Sequence, residues 1–296
     1  MGRTRLRCRP APSLALGIET RRSRPWSAPT RLRGALVPLA LWGGLAPPSL
    51  AQTASAGADS DPTWTRGFGY GVTLSAVQSR DDLLAPLRWR GPGFGLKASW
   101  DWGGNDRRHA VALRMPISIL SNRFGHRGYA FAPALTYGFL TRVARSQDTA
   151  AGWLGGRMRL DMFNAFYESW DDEHLYWITA YSLGPTGAWR GRFRGAPAWA
   201  TLDVPLLAAV ARPPEPRLNQ IDRLTRLGGH LVDPQKDARV VAFPDYAAVH
   251  AAVGVVLRVG GSSFSVSYIL DWSRYALPAR VALLSQSVSI SRGPAT

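Results

Sequence analysis

The sequence predicts an all-β fold, an antiparallel up-and-down barrel of about ten strands with short turns at one end and longer loops at the other. Apolar residues alternate with small or polar residues in stretches of about ten, which places one set on each face of a strand. Apolar residues make up 46% of the chain, yet the mean hydropathy is only -0.11, so they are spread out rather than collected into spanning helices. The connections between the stretches mostly alternate between short and long.

The N-terminal segment has the order of features of a secretory signal peptide. Arginines crowd the start of the chain, an apolar run extends over residues 35–50, and small residues follow. The run is too short and too often interrupted by proline and glycine to anchor the chain in a membrane. We therefore expect residues 1–56 to be a signal peptide with an arginine-rich extension, cleaved near Ala51 or Ala56. Residues 57–65 are expected to form a flexible arm.

The formal net charge of +16 would favour a nucleic-acid partner if the cations were clustered in the mature chain. Much of the excess instead lies in the N-terminal segment, and no block of Lys and Arg with interleaved aromatic residues remains after it. The single cysteine, Cys8, lies in the same segment. We therefore expect no nucleic-acid partner and no cysteine-held metal.

Ten stretches of the mature chain show the alternation. In the first, Phe68, Tyr70, Val72 and Leu74 alternate with glycine, threonine and serine. The ten stretches are residues 67–76, 93–102, 110–119, 129–139, 154–166, 175–183, 198–210, 249–259, 264–273 and 282–290. In the seventh stretch, Val210 is placed on the outward face with the other apolar residues. Many residues of the opposite face are small, which suits a narrow ten-strand lumen.

The lengths of the connections give an independent check on the barrel. Short connections are expected at 103–105, between 184 and 197, and at 260–262. Longer ones are expected at 78–87, 121–128, 167–174, 212–246 and 273–278. The segment 141–151 breaks the pattern, because it is long where a short turn is expected. The rest fits a barrel with its N-terminus in the periplasm.

A soluble β-sandwich or lipocalin-like barrel would also show alternation, but the aromatic content favours a membrane barrel. Trp100, Trp102, Trp177 and Trp272 lie near strand ends, where an interfacial girdle is expected.

Over residues 66–290 the chain resembles bacterial outer-membrane β-barrels as an architectural class. The resemblance implies a transmembrane barrel in the cell outer membrane, in contact with outer-membrane lipid and folded by the barrel-assembly machinery. The tail 291–296 departs from the terminal aromatic residue that is common in the class.

Charged residues on the inward face of the strands are expected to form a network of ion pairs in the lumen, because charges away from bulk water need partners. A weakly anion-selective pore is the alternative, for which a barrel of this size leaves little room. The expected network consists of Lys97, Asp101, Arg114, Arg157, Arg159, Asp161, Asp203, Arg258 and Asp271.

Acidic residues in two predicted outer loops are candidates for catalysis. Asp172 and His174 have the Asp-x-His spacing of the omptin-type outer-membrane proteases, and Asp81 and Asp82 would supply the opposite acidic pair. This resemblance implies water activation by carboxylates and a histidine. The two pairs fall on different loops from those of the family. A solvated acidic loop is the alternative.

A lipid-modifying enzyme would need a serine and a histidine placed together near the membrane surface. Ser121, His126 and Ser169 lie in predicted outer loops, but no sequence feature fixes their geometry. The histidines show no metal-ligand spacing, so neither a metal nor another cofactor is expected.

The segment 212–246 is the longest stretch without alternation. Leu218, Ile221, Leu224 and Leu227 recur at near-helical spacing within it. We therefore expect an outer loop that holds one short amphipathic helix, which caps the barrel mouth or binds a partner.

The sequence favours a non-enzymatic outer-membrane barrel that contacts its surroundings through its loops or has a narrow lumen. An outer-membrane hydrolase and a minor solute channel are the alternatives. Substrate, solute and oligomeric state stay open.

Overall fold

The computed structural model describes residues 67–82, 85–104, 106–146, 150–168, 174–212, 235, 238–259 and 261–293. Only the backbone is described for residues 85, 86, 145, 146, 174 and 175. All described residues belong to the unit Asp59–Thr296. The predicted signal peptide and arm therefore lie outside them.

Thirteen strands make up the fold. They are β1 (Gly67–Asp81), β2 (Ala85–Gly103), β3 (Arg107–Ser121), β4 (Arg127–Phe131), β5 (Ala134–Ser146), β6 (Ala150–Tyr167), β7 (His174–Phe193), β8 (Ala196–Asp203), β9 (Leu207–Ala211), β10 (Arg239–Ala242), β11 (Tyr246–Val259), β12 (Ser262–Tyr275) and β13 (Val281–Arg292). Among the described residues there is no helix long and apolar enough to cross a membrane.

The strands close into a barrel of ten members. Three barrel strands are interrupted, and each consists of two consecutive strands, namely β4 with β5, β8 with β9, and β10 with β11. The two parts of each barrel strand pair with the same neighbouring strand or strand pair. Each barrel strand is antiparallel to the next one along the chain, and β1 pairs with β13 to close the ring. The predicted antiparallel up-and-down barrel of about ten strands is confirmed.

Each of the three interruptions contains a proline, namely Pro133, Pro205 and Pro244. Proline has no N–H group for the strand ladder, so regular pairing stops there. Pairing continues around two of these prolines through single backbone hydrogen bonds, such as the one from the N–H of Ala132 to the carbonyl of Pro116 at 3.0 Å.

The second interruption, at Pro205, also changes which side chains face outward and which face the lumen. Leu206 and Leu207 are both exposed, although they are consecutive, so the alternation shifts by one residue. As a result Val210 is only 2% exposed and lies in the interior. The predicted outward position of Val210 is therefore wrong, because the strand passes a proline-containing irregularity before it reaches that residue.

The connections separate the barrel into two different ends. At the turn end they are residues 104–106, 147–149, 194–195 and 260–261, and both termini of the barrel lie there. At the loop end they are 82–84, 122–126, 168–173, 212–238 and 276–280. Short turns face the periplasm in such barrels and longer loops face outward. The turn at Arg194 and Gly195 has positive φ at both residues, as two-residue hairpins require.

Several predicted connections are shorter in the structure, because the strands continue beyond the alternating stretches. The expected long connection at 141–151 is wrong, since β5 and β6 extend into it and leave only residues 147–149. The final part of the predicted loop 212–246 contains β10 and the start of β11. The predicted helix around Leu218 lies outside the described residues. Ser291 and Arg292 of the predicted tail belong to β13.

The outward face of the barrel is apolar and the inward face is polar over much of its height. Phe68, Tyr70, Val72 and Leu74 of β1 are exposed, whereas Thr73 between the last two is buried. The same alternation recurs on β2, β3, β6 and β13. A closed sheet satisfies its own backbone hydrogen bonds, and an apolar exterior suits lipid rather than water. The chain is a transmembrane β-barrel of the class found in bacterial outer membranes.

The tryptophans divide between the two faces. Trp100 and Trp102 are exposed at the turn end, as expected for an interfacial girdle, whereas Trp89, Trp153 and Trp199 are buried in the interior. Large side chains therefore occur on the inward face beside the many small residues that the sequence suggested, and they help to fill the lumen.

An arginine in the middle of the lipid-facing belt is expected to hinder insertion. Leu74 lies halfway along β1 and is 65% exposed, so Leu74→Arg places a cation near the bilayer midplane at a cost of about 2–4 kcal/mol. Val143 lies near the turn end of β5 and is 58% exposed, so Val143→Arg should cost about 0–1 kcal/mol. Urea unfolding in lipid vesicles measures both. Equal losses at the two positions would contradict the assignment of this face to lipid.

Candidate functional site: the barrel lumen

Three charged or titratable side chains meet around the carboxylate of Asp271 in the middle of the lumen. Asp271 of β12 accepts a hydrogen bond from Arg114 of β3 at 2.7 Å. It is also 3.1 Å from a guanidinium nitrogen of Arg159 of β6 and 2.9 Å from Nδ1 of His250 of β11. β3 and β6 lie on the other side of the ring from β12, so the contacts of Arg114 and Arg159 cross the lumen. His250 lies directly opposite Asp271 on the adjacent strand. We call these four residues the septum.

Further ion pairs surround the septum. The Nε of Arg159 donates to both oxygens of Asp161, at 2.7 and 2.6 Å. Asp203 of β8 accepts from Arg157 of β6 and from the hydroxyl of Thr186 of β7. Each of these carboxylates is thus paired with a guanidinium, which offsets the cost of removing both from water.

Another buried ion pair lies nearer the turn end. Asp101 of β2 and Arg108 of β3 form an ion pair whose side chains are almost fully buried. Lys97 is buried on β2 directly opposite Arg114 in the strand register. Arg142 lies over the ring of the buried Trp153, with 5.6 Å between its guanidinium carbon and the ring centroid.

The structure therefore places eight of the nine residues of the expected network inside the barrel and brings seven into ion pairs. Those seven are Asp101, Arg114, Arg157, Arg159, Asp161, Asp203 and Asp271. Arg258 differs. It is exposed near the turn end of β11, and no carboxylate of the described chain pairs with it.

The septum separates two cavities. The loop-side cavity has a volume of about 110 Å³, and the turn-side cavity one of about 90 Å³. Arg114, Arg159, His250 and Asp271 line both of them. These four side chains therefore lie between the two cavities.

The loop-side half of the lumen is lined mainly by apolar and aromatic side chains. Trp89 and Tyr167 pack with their ring centroids 4.3 Å apart, and Phe163 meets Tyr176 edge to face at 6.4 Å. The other buried members of this cluster are Val77, Leu120, Ala130, Ala165, Ile178, Ala208, Val210, Val241, Tyr246, Ala248, Tyr275 and Val281.

One wall of the lumen is built from small hydroxyl-bearing residues. They lie on the adjacent strands β1, β12 and β13 and face inward. These residues are Thr73, Ser75, Ser265, Ser267, Ser285, Ser287, Ser289 and Ser291. The small wall leaves room for long side chains from the opposite strands, and Trp199 of β8 donates to the hydroxyl of Ser265 at 3.2 Å.

Of the residues suggested for catalysis, Asp81 and Asp82 are each held by an arginine. Both oxygens of Asp81 accept from Arg212 at 3.0 Å, inside the loop end of the barrel. Asp82 is bound instead by the Nε of Arg80 at 2.8 Å. Asp172 and the side chain of His174 lie outside the described residues. No group of three potential metal ligands occurs among the described residues.

Sequence analysis missed Arg108, His250 and Arg212 as partners in the lumen. Arg108 has the same alternation phase as Arg114 on β3, and this signal would have placed it inward. His250 was assigned to the inward face, and the register of the hairpin across the turn at 260–261 would have placed it opposite Asp271. Arg212 follows the phase shift at Leu206, so alternation across β8 and β9 gives the wrong face.

Comparisons with known proteins were made for sequence and structure. No protein-family model matches the chain, and no curated protein is similar to it in sequence. The outer membrane protease OmpT from Escherichia coli matches in structure with a TM-score of 0.43 and 8% identity, covering 79% of this chain and 96% of that one.

Two further structures match at similar levels. The translocator domain of the autotransporter NalP from Neisseria meningitidis has a TM-score of 0.36 and 7% identity, covering 77% of this chain and 88% of that one. The β domain of the Bordetella autotransporter BrkA has a TM-score of 0.37 and 10% identity, covering 77% and 99%. At these values the matches carry no argument about activity, and the architecture rests on the strand pairing itself.

Removal of the central carboxylate is expected to destabilise the barrel. Asp271→Ala leaves Arg114 without its partner in a site where the two side chains are 16% and 15% exposed. Breaking a buried ion pair from one side costs about 3–5 kcal/mol. Ser273→Ala is the matched control, because it removes an inward polar group from the same strand without touching the septum. Urea unfolding in vesicles should show a loss for Asp271→Ala alone, and equal stability of the two variants would remove the septum's structural role.

Proposed function

We propose that the protein is a non-enzymatic outer-membrane barrel with a narrow lumen that the septum closes. The observation that carries this proposal is that Arg114 and Arg159 reach Asp271 across the barrel, where His250 of the adjacent strand also contacts it. A solute that passes from one cavity to the other must displace at least one of these contacts.

The energetics of the septum support a closed barrel. The two guanidinium groups of the septum exceed its one carboxylate by one charge, and Asp161, which accepts from Arg159, balances that charge. The septum together with Asp161 therefore offers no excess of guanidinium over carboxylate charge to attract an ion. Charge-assisted hydrogen bonds are about twice as strong as neutral ones, and separating buried partners leaves each without its hydration. Thermal opening of this layer is therefore costly.

The placement of the candidate catalytic groups also favours a non-enzymatic barrel over a hydrolase. A general base must reach a water molecule and a substrate together. Both oxygens of Asp81 are instead engaged by Arg212, whose guanidinium also donates to the carbonyl of Ala279 at 2.8 Å. These hydrogen bonds join Asp81, Arg212 and Ala279 at the loop end of the lumen.

A minor solute channel is the second candidate function. It is favoured by the thinness of the septum, since the two cavities share the same four lining residues. Rearrangement of one layer would connect them. The hydroxyl-bearing wall of β1, β12 and β13 would then supply polar contacts to a small solute along the path.

The proposal includes export of the chain, with cleavage near Ala51 or Ala56 and insertion by the barrel-assembly machinery. N-terminal sequencing of protein extracted from outer membranes is expected to begin at Gln52 or Gly57. An intact N-terminus in the membrane fraction would contradict the proposed cleavage.

Conductance in planar bilayers tests the closed lumen. The wild-type barrel is expected to be silent, because the septum blocks the path. The triple variant Arg114→Ser, Arg159→Ser and Asp271→Ser removes long side chains of both signs together and is expected to show discrete current steps.

The control replaces Arg107 and Arg292 by serine, two exposed outward-facing arginines at the turn end, and should remain silent. Heat-modifiable gel migration verifies that each variant is folded. Wild-type steps as large as those of the triple variant would overturn the closed lumen in favour of a channel. A silent triple variant that is folded would show that the septum is not the barrier.

A further inference from the structure

On one side of the barrel, the two ends of the outward face carry different kinds of side chain. At the turn end, aromatic side chains of β1, β2, β3 and β5 cluster. Trp102 stacks on His109 at 5.3 Å between ring centroids, and His109 is hydrogen-bonded to the hydroxyl of Tyr137 at 2.8 Å. Trp100 and Phe139 extend this cluster. Aromatic residues of this kind favour the membrane interface.

At the loop end of the same side, the outward positions carry arginines. We call them the rim arginines, and they are Arg80, Arg88, Arg90, Arg127 and Arg274. All five have the alternation phase of the lipid-facing residues of their strands. The phase of β2, for example, puts Arg88 and Arg90 on the same face as Phe94 and Leu96, which are exposed.

The strand register places the rim arginines next to one another. Arg80 of β1 is directly opposite Arg88 of β2. On its other side Arg80 is opposite Ala282, which is opposite Arg274 of β12. These residues form one row across four neighbouring strands, with about 4.8 Å between adjacent strands.

A second row lies one outward position nearer to the apolar belt. Arg90 is opposite Ser121 of β3, and Ser121 is opposite Arg127 of β4. Below this row the next outward residues include Ile119 and Tyr129, both exposed. The rim arginines therefore begin where the apolar belt ends.

The rim arginines carry more positive charge than the neighbouring acids offset. Asp82 is bound to Arg80. Glu168 adjoins Arg127, whose carbonyl accepts from the N–H of Glu168 at 3.1 Å. Arg88 and Arg90 are exposed, and no carboxylate of the described residues is paired with them. Arginines on the lipid-facing side are tolerated near an interface, but isolated charges there need anionic partners.

The geometry fits phosphate on a lipid headgroup. A guanidinium donates two parallel hydrogen bonds to a phosphate, and arginines from adjacent strands can address several oxygens at once. Because the loop end faces outward, the lipid in reach is that of the outer leaflet. We infer that the rim arginines form a binding surface for a phosphorylated glycolipid of the outer leaflet, held by its headgroup phosphates while its acyl chains lie against the apolar belt.

The test uses the full chain, expressed with its own N-terminal segment and purified from outer membranes in mild detergent. Native mass spectrometry measures binding of a bis-phosphorylated glycolipid and of its dephosphorylated counterpart. The wild type should prefer the phosphorylated lipid. The variant Arg88→Gln with Arg90→Gln should bind it about thirtyfold more weakly, since each arginine near such a surface contributes about fivefold.

The matched control is Arg107→Gln with Arg292→Gln, which removes two exposed outward arginines from the turn end of the same side. It should bind the phosphorylated lipid as the wild type does. Equal binding of phosphorylated and dephosphorylated lipid would overturn the inference, as would equal weakening in the control. Heat-modifiable migration of both variants confirms that a loss of binding is not a loss of folding.

Discussion

Closure of the sheet by β1 and β13 is the constraint on which the rest of this structure depends. The ladder runs from Tyr70 opposite Arg292 to Asp81 opposite Val281 and leaves neither terminal strand with a free edge. In lipid an unpaired edge would expose a row of backbone N–H and C=O groups that nothing can satisfy. Closure solves that problem but creates another, because a ring of ten strands encloses a space that must be filled with side chains or water.

The filling of that space explains why charged residues are compatible with the fold. Long side chains from β3, β6 and β8 reach toward a wall of serines on β1, β12 and β13. Large side chains on one side of the lumen therefore pack against small residues on the other. The arginines among them are long enough to cross the lumen, and each needs an anion where it arrives. Asp271 meets this need for Arg114 and Arg159 together. The same residue thus joins opposite strands and divides the interior into two cavities.

Alternation alone predicted all ten barrel strands, because the period of two holds wherever a strand separates lipid from lumen. It failed where the backbone is irregular. Pro205 interrupts one strand, and the consecutive outward Leu206 and Leu207 reverse the face of every residue up to Arg212. Trp153 and Trp199 have the inward phase of their strands, so alternation gives their face, but it does not give the volume available opposite them. The pair of Arg212 and Asp81 joins residues 131 positions apart, and no local pattern reports such a contact.

Along the barrel axis, polar and apolar side chains are distributed in opposite order on the inner and the outer face. On the side of β1 to β4, the loop end has arginines outside, while aromatic and aliphatic side chains fill the lumen at that height. Toward the turn end the exterior is aromatic, and the interior holds the pairs of Asp101 with Arg108 and of Arg157 with Asp203. An apolar interior excludes water at the outward-facing mouth, and this lowers the local dielectric around the septum beneath it. Weaker screening strengthens ion pairs whose partners are matched, so the apolar loop-side lumen stabilises the ion pairs of the septum as well as covering them.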